Sequence, residues 1–140
     1  MLGALLRILG FRQPEPPDDP VFRFTRFYSA GPYWEGRADF APLRGSVEVL
    51  VDCPRTGASP AQRAFFQQLE TRFAALLAAA RAEIARSESG RLPAELKLVC
   101  VELPVDPDAM PWRLGFAGER IHHTVVFTGW SPTEVEGHAC

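Results

Sequence analysis

"GSVEVLVDCPRTGASPAQRAFFQQLETRF", residues 45–73, contains the change of period on which the fold reading turns. From Gly45 to Cys53 polar and apolar residues alternate. Val47, Val49, Val51 and Cys53 fall on one side, and Ser46, Glu48 and Asp52 on the other. Successive strand side chains point to opposite faces, so this period of two predicts a strand with one buried face. Beyond Ser59 the spacing becomes three and four: Phe66, Leu69, Phe73, Leu76, Leu77, Ala80 and Ile84 form one apolar stripe. That stripe predicts an amphipathic helix. Ser59 is its expected N-cap, Pro60 its first residue, and Gln62 the partner that closes a capping box. The helix should run to about Arg86, roughly 40 Å at 1.5 Å per residue, with Gly90 as its stop.

Strand patterns lie on both sides of this helix. "VFRFTRFY" (21–28) places Phe22, Phe24 and Tyr28 together, and "YWEGRADF" (33–40) alternates Trp34, Gly36, Ala38 and Phe40 with Glu35, Arg37 and Asp39. After the helix, "ELKLVCVEL" (95–103) is apolar on both sides, as a central strand would be. "WRLGF" (112–116) and "IHHTVVFTG" (121–129) are joined by "AGER" as a hairpin. "SPTEVEG" (131–137) repeats a capping-box pattern, which predicts one helical turn. The expected architecture is α+β: a two-layer, antiparallel β-sheet in βββ-α-βββ order, packed on one long amphipathic helix.

Residues 21–140 should form this single domain, preceded at 1–20 by a short helix and a proline-rich linker. In "MLGALLRILGF" (1–11) Leu2, Leu5, Leu6 and Leu9 take helical spacing. The segment is too short to span a bilayer. It should dock on its own domain or a partner, with weak peripheral membrane contact as the minor alternative. "RQPEPPDDP" (12–20) reads as a stiff extended linker.

A net charge of −2 argues against a general nucleic-acid binder. Every basic residue but Lys97 is arginine, and asparagine is absent, a bias suggesting a GC-rich bacterial genome. The three cysteines, Cys53, Cys100 and Cys140, are far apart and form no CxxC pair. They read as reduced thiols, with the cytoplasm as the natural compartment.

Chemistry-bearing patterns are sparse. His122 and His123 are adjacent in a strand and therefore point to opposite faces, so they cannot share one metal without a bulge. His123 shares the face of Val125 and Phe127, as a core-edge residue would; His122 falls on the solvent side. His138 and Cys140 could contribute to a zinc site only without any recognised ligand spacing. Asp106 and Asp108 make a D-x-D pair in a proline-rich loop, a weak signal for a cation or for acid–base work. "GPYWEGRA" (31–38) lacks the lysine and hydroxyl of a phosphate-binding loop. No catalytic, metal-binding or cofactor-binding set is therefore assigned.

What remains is surface. Phe27 and Tyr33 are expected on the outer side of the sheet beside Arg37, and aromatics with arginine are enriched at interfaces. From Val101 onward Glu102, Asp106, Asp108, Glu119, Glu134 and Glu136 outnumber Arg113 and Arg120. Glu102, Asp106, Asp108, Phe27, Tyr33 and Arg37 are the candidate partner surface. With "YWEG" (33–36), "SPAQRAFF" (59–66), "PWRLGF" (111–116) and "VVFTGW" (125–130), the body resembles small bacterial domains, some of which occur as immunity proteins beside secreted toxins. The resemblance is one of pattern, covers the chain from about residue 21, and assigns no functional residue. It implies a non-catalytic protein-binding domain, with a toxin as one kind of partner and a homo-oligomer as another. A subunit or adaptor using residues 1–20, and a small metal-dependent hydrolase, are the alternatives.

Overall fold

The computed structural model describes residues 12–87, 96–118 and 121–139. The expected N-terminal helix (1–11), the Gly90 stop and the tip of the "AGER" turn (119–120) lie outside them. The chain runs β1 (Phe22–Tyr28), β2 (Tyr33–Phe40), β3 (Gly45–Asp52), α1 (Pro60–Ser87), β4 (Lys97–Leu103), β5 (Trp112–Ala117), β6 (Ile121–Thr128) and β7 (Ser131–Ala139). All seven strands join one sheet in chain order.

This corrects the expected architecture in three respects. First, the sheet is mixed, not antiparallel. β3 and β4 are adjacent and parallel, from Glu48 opposite Cys100 to Val51 opposite Leu103, while every other neighbouring pair is antiparallel. The 28 residues of α1 carry the chain back along the sheet, and a return by helix delivers the next strand in the same direction as the last. Secondly, residues 131–139 form a strand and not a helical turn. Val135 pairs with Val125 and Glu136 with Thr124, and Gly129, at φ 59°, permits the tight turn. An isolated helical turn is marginal in water, whereas ladder bonds to β6 are cooperative with the whole sheet. The order is thus βββ-α-ββββ. Thirdly, α1 is only weakly amphipathic: Ala64, Ala74, Ala75, Ala78 and Ala82, rather than charges, occupy much of its solvent side.

Apolar side chains from the sheet meet α1 on one face. Phe66 packs edge-on against Phe22 and Phe40, with centroids 5.4 and 5.8 Å apart. Phe65 lies edge-on to Trp112 at 5.2 Å and stacks on Trp130 at 4.7 Å. Offset and edge-on rings of this kind add to the area they bury.

Three register shifts interrupt the sheet, one of them between β6 and β7 at Val126/Phe127, and the other two reset which residues of β1 and β4 face this core. The first of these two lies between Phe24 and Arg26. Past it the alternation inverts, so Phe27 packs against the core beside Trp34 at 5.1 Å and Tyr28 turns outward. The other, between Leu98 and Cys100, leaves Leu98, Val101 and Leu103 buried, with Cys100 and Glu102 on the opposite face. One extra residue flips every side chain after it. At the first bulge β1 crosses so close to Gly36 that a Cβ there would lie 2.3 Å from the Arg23 carbonyl oxygen and 2.8 Å from Phe24 Cα.

The proline-rich stretch is tied to the sheet. The Gln13 carboxamide accepts from Phe27 N at 2.8 Å and donates to Phe27 O at 3.1 Å, standing in for a neighbouring strand on the β1 edge. Asp19 accepts from the backbone N–H groups of Val21 and Phe22 and from Arg63 Nε at 2.9 Å.

The start of α1 holds the two parallel strands together. Ser59 and Gln62 make the reciprocal capping box, with Gln62 N donating to Ser59 Oγ at 3.1 Å and Ser59 N donating to Gln62 Oε1 at 3.0 Å. Gln62 is 1% exposed. Its Nε2 also donates to the carbonyls of Asp52 at 2.7 Å and Pro104 at 2.9 Å, just where β3 and β4 end. Gln62→Ala keeps the backbone bond to Ser59 Oγ but removes the acceptor of Ser59 N and leaves both carbonyls short of a donor. It should cost about 3 kcal/mol in urea unfolding. Gly36→Ala cannot be accommodated without moving β1, because the obstructing atoms are backbone, and should lower the melting temperature by more than any exposed glycine substitution.

Candidate functional site

With α1 on one face, the other face of the sheet is built from the alternate residues. Across it run two rows set by the strand register: Glu35, Leu50, Glu102, Arg113, Val126 and Glu134, then Arg37, Glu48, Cys100, Gly115, Thr124 and Glu136. The described residues supply only one α-helix, and it lies on the opposite face. From β3 to β7 this outer face carries Glu48, Asp52, Glu102, Glu134 and Glu136 against Arg113 and, at the far end of β4, Lys97. Its centre is acidic.

At the carboxyl ends of β3 and β4 this face deepens into a cleft of about 240 Å³, lined among others by Tyr33, Leu50, Asp52, Glu102, Pro111 and Arg113. The same strand ends are those fixed from behind by Gln62. Crevices beyond the carboxyl ends of parallel strands are where α/β sheets commonly place ligands. Desolvation pushes the half-buried Glu102 carboxyl above its usual range; Arg113 pulls it down, while Asp52 and Glu136 push it further up. Asp52, more open to solvent, is raised by desolvation and lowered by Arg113. Arg113 thus acts on both carboxylates, yet among the described residues no ion pair within 4 Å joins it to either.

The rim of the cleft is the β4–β5 loop. The Asp106 carbonyl accepts from Ala109 N at 3.2 Å and Met110 N at 2.8 Å, folding the loop into a turn. That turn leaves Val105 64% and Met110 43% exposed. A larger, shallower groove of about 720 Å³ lies at the β2–β3 turn. There the polar groups serve the fold: Arg23 pairs with Asp39 at 3.0 Å and Glu70 accepts from Ala41 N at 3.0 Å.

Of the residues singled out from sequence, Glu102 and Tyr33 meet in the cleft. Tyr33 stacks on Tyr28 at 4.5 Å, and the Tyr28 hydroxyl donates to Glu35 Oε2 at 3.1 Å. Arg37 lies on the outer face but is spent on Ser46, donating to its hydroxyl and carbonyl at 3.0 and 3.3 Å. Asp106 and Asp108 are exposed on the loop and do not line the cleft. Phe27, expected on the outer side, is on the core side because of the bulge that follows Phe24. Sequence reasoning missed Asp52 and Arg113 as neighbours of Glu102. The alternation of β3 had placed Asp52 outward, but only the parallel β3–β4 pairing brings it to Glu102.

His123 is buried at 3% exposed and His122 is exposed on the opposite face, so the pair is split as strand geometry requires. Cys140 and the His138 side chain lie outside the described residues. Among the described residues no three His, Cys, Asp or Glu side chains gather as a metal site, and no helix is long and apolar enough to cross a membrane. Burial raises both described thiols, Cys53 to about 11 and Cys100 to about 12; Glu102, Glu48 and Glu35 add to the rise at Cys100. The chain matches no protein-family model, no curated protein and no solved structure.

Two pH predictions follow from these shifts. A carboxyl raised on folding opposes the fold once it ionises. Glu102→Gln should therefore stabilise the domain at pH 7, and the difference from the parent should vanish as pH falls through the Glu102 transition, as read by chemical denaturation across pH. A thiol raised above its ordinary value of 9.0 leaves stability intact below pH 9 and erodes it as pH climbs toward about 12. Cys100→Ala should flatten that alkaline loss, measured by unfolding between pH 8 and pH 11.

Proposed function

We propose that this chain is a non-catalytic protein-binding domain that works in the cytoplasm, and within that class an inhibitor of the immunity type. The observation that carries the reading is the outer sheet face. A broad, acid-rich surface is left without a covering layer among the described residues, while the desolvated Glu102 is kept there at a cost to stability. Charges held against stability are a feature of functional surfaces. Exposed Val105 and Met110 beside such charges supply the apolar contact that interfaces add to their polar rim. The elevated thiols favour the same side of the choice, because a protonated sulfur is a poor nucleophile at neutral pH.

The full chain, tagged and recovered from the cells that make it, should carry one protein partner in fixed stoichiometry, read by native mass spectrometry. An immunity-type partner would be toxic when expressed alone and silent when co-expressed with this chain. Recovery as a bare chain under gentle, low-salt conditions would sink the protein-binding reading. A partner whose toxicity is unchanged by the chain would sink the inhibitor reading alone.

A further inference from the structure

The outer face is uneven, and that unevenness selects the kind of partner. Towards β1 and β2 its arginines are engaged: Arg23 pairs with Asp39, Arg37 is held by Ser46, and Arg26 lies 5.1 Å over the Tyr28 ring. Towards the cleft Asp52 and Glu102 share the influence of Arg113 without a direct ion pair among the described residues. Leu50 and Tyr33 line the cleft, and Pro104 and Pro111 bound it at the two ends of the loop that carries the exposed Val105 and Met110.

Resting on the protein-binding reading, we propose that this cleft is the docking point and that its occupant is a partner-protein segment presenting an arginine or lysine beside an apolar residue. The cation enters between Asp52 and Glu102, where Tyr33 offers an aromatic surface. The apolar neighbour covers Val105 and Met110, which removes their surface from water. Arg113, which lines the same cleft next to Glu102, would repel a second cation, so the site takes one cationic side chain and not a basic tract. Bringing a positive charge to Glu102, a carboxylate already stripped of part of its water, supplies a stronger interaction than it would at a fully solvated surface, with the more open Asp52 adding its charge beside it.

The test uses the isotope-labelled full chain and two blocked synthetic pentapeptides, Leu-Leu-Arg-Leu-Leu and its counterpart with Glu in place of Arg. Amide shifts followed by NMR should move for the Arg peptide at Tyr33, Asp52, Glu102, Arg113 and along residues 104–111. They should stay still for the Glu peptide. The isosteric double variant Asp52→Asn/Glu102→Gln should weaken binding at least tenfold while its unperturbed amides report an intact fold. Val105→Ser/Met110→Ser should weaken it severalfold by a separate route. Equal binding of both peptides, shifts centred on α1 or on the β2–β3 groove, no shifts at several millimolar peptide, or indifference to the carboxamide variant would each overturn the proposal. A co-purified partner held equally well by that double variant would overturn this placement and leave the protein-binding reading standing. Absence of any co-purified partner would bring down that broader reading instead.

Discussion

One side-chain amide links most of what is distinctive here. Gln62 caps its own helix through Oε1 and, through Nε2, holds the last carbonyl of β3 and the first one past β4. The parallel β3–β4 pair is the one place in the sheet where neighbouring strands are connected through a helix, so nothing local brings those strand ends together. A buried amide with both N–H donors and its carbonyl oxygen engaged does so, and the low local dielectric makes each of those bonds costly to leave unmade. The cleft on the other face sits at the same two strand ends, and its depth depends on their being held side by side.

The two faces of the sheet are governed by different demands. On the side of α1 the stacked and edge-on rings of Phe22, Phe40, Phe65, Phe66, Trp112 and Trp130 close a continuous core. On the other side, residues alternate with that core except at the bulges, and at Asp52 and Glu102 the face carries carboxyls that desolvation raises. Edge protection is also handled unequally. The Gln13 amide and the strap through Asp19 close the β1 edge, while β7 carries Pro132, Glu134 and Glu136, residue types that discourage further strand pairing.

How much of this could be read in the chain is clearest from particular segments. The switch from period two to period three-and-four across Ser59 locates the end of a strand and the start of a helix, and the Ser59–Gln62 cap is visible as letters. The split of His122 and His123 between faces follows from strand pleating alone. Face assignments failed at Phe27 and Tyr28 because a bulge has no signature in composition. The turn expected at 131–137 was a strand because pairing with β6 outweighs a short local cap.

The sequence by itself determined which segments alternate, where the helix begins, and that acids outnumber bases from Val101 onward. These are local matters, settled by side-chain spacing and by bonds between residues three or four apart. Tertiary structure alone decided that β3 and β4 run parallel, that β7 completes the sheet, and that Asp52, Glu102 and Arg113 share one cleft with Tyr33. Those residues are up to 80 positions apart, from Tyr33 to Arg113, and no local rule relates them. Their meeting depends on register, and register is chosen by the burial of a whole face and not by any one segment.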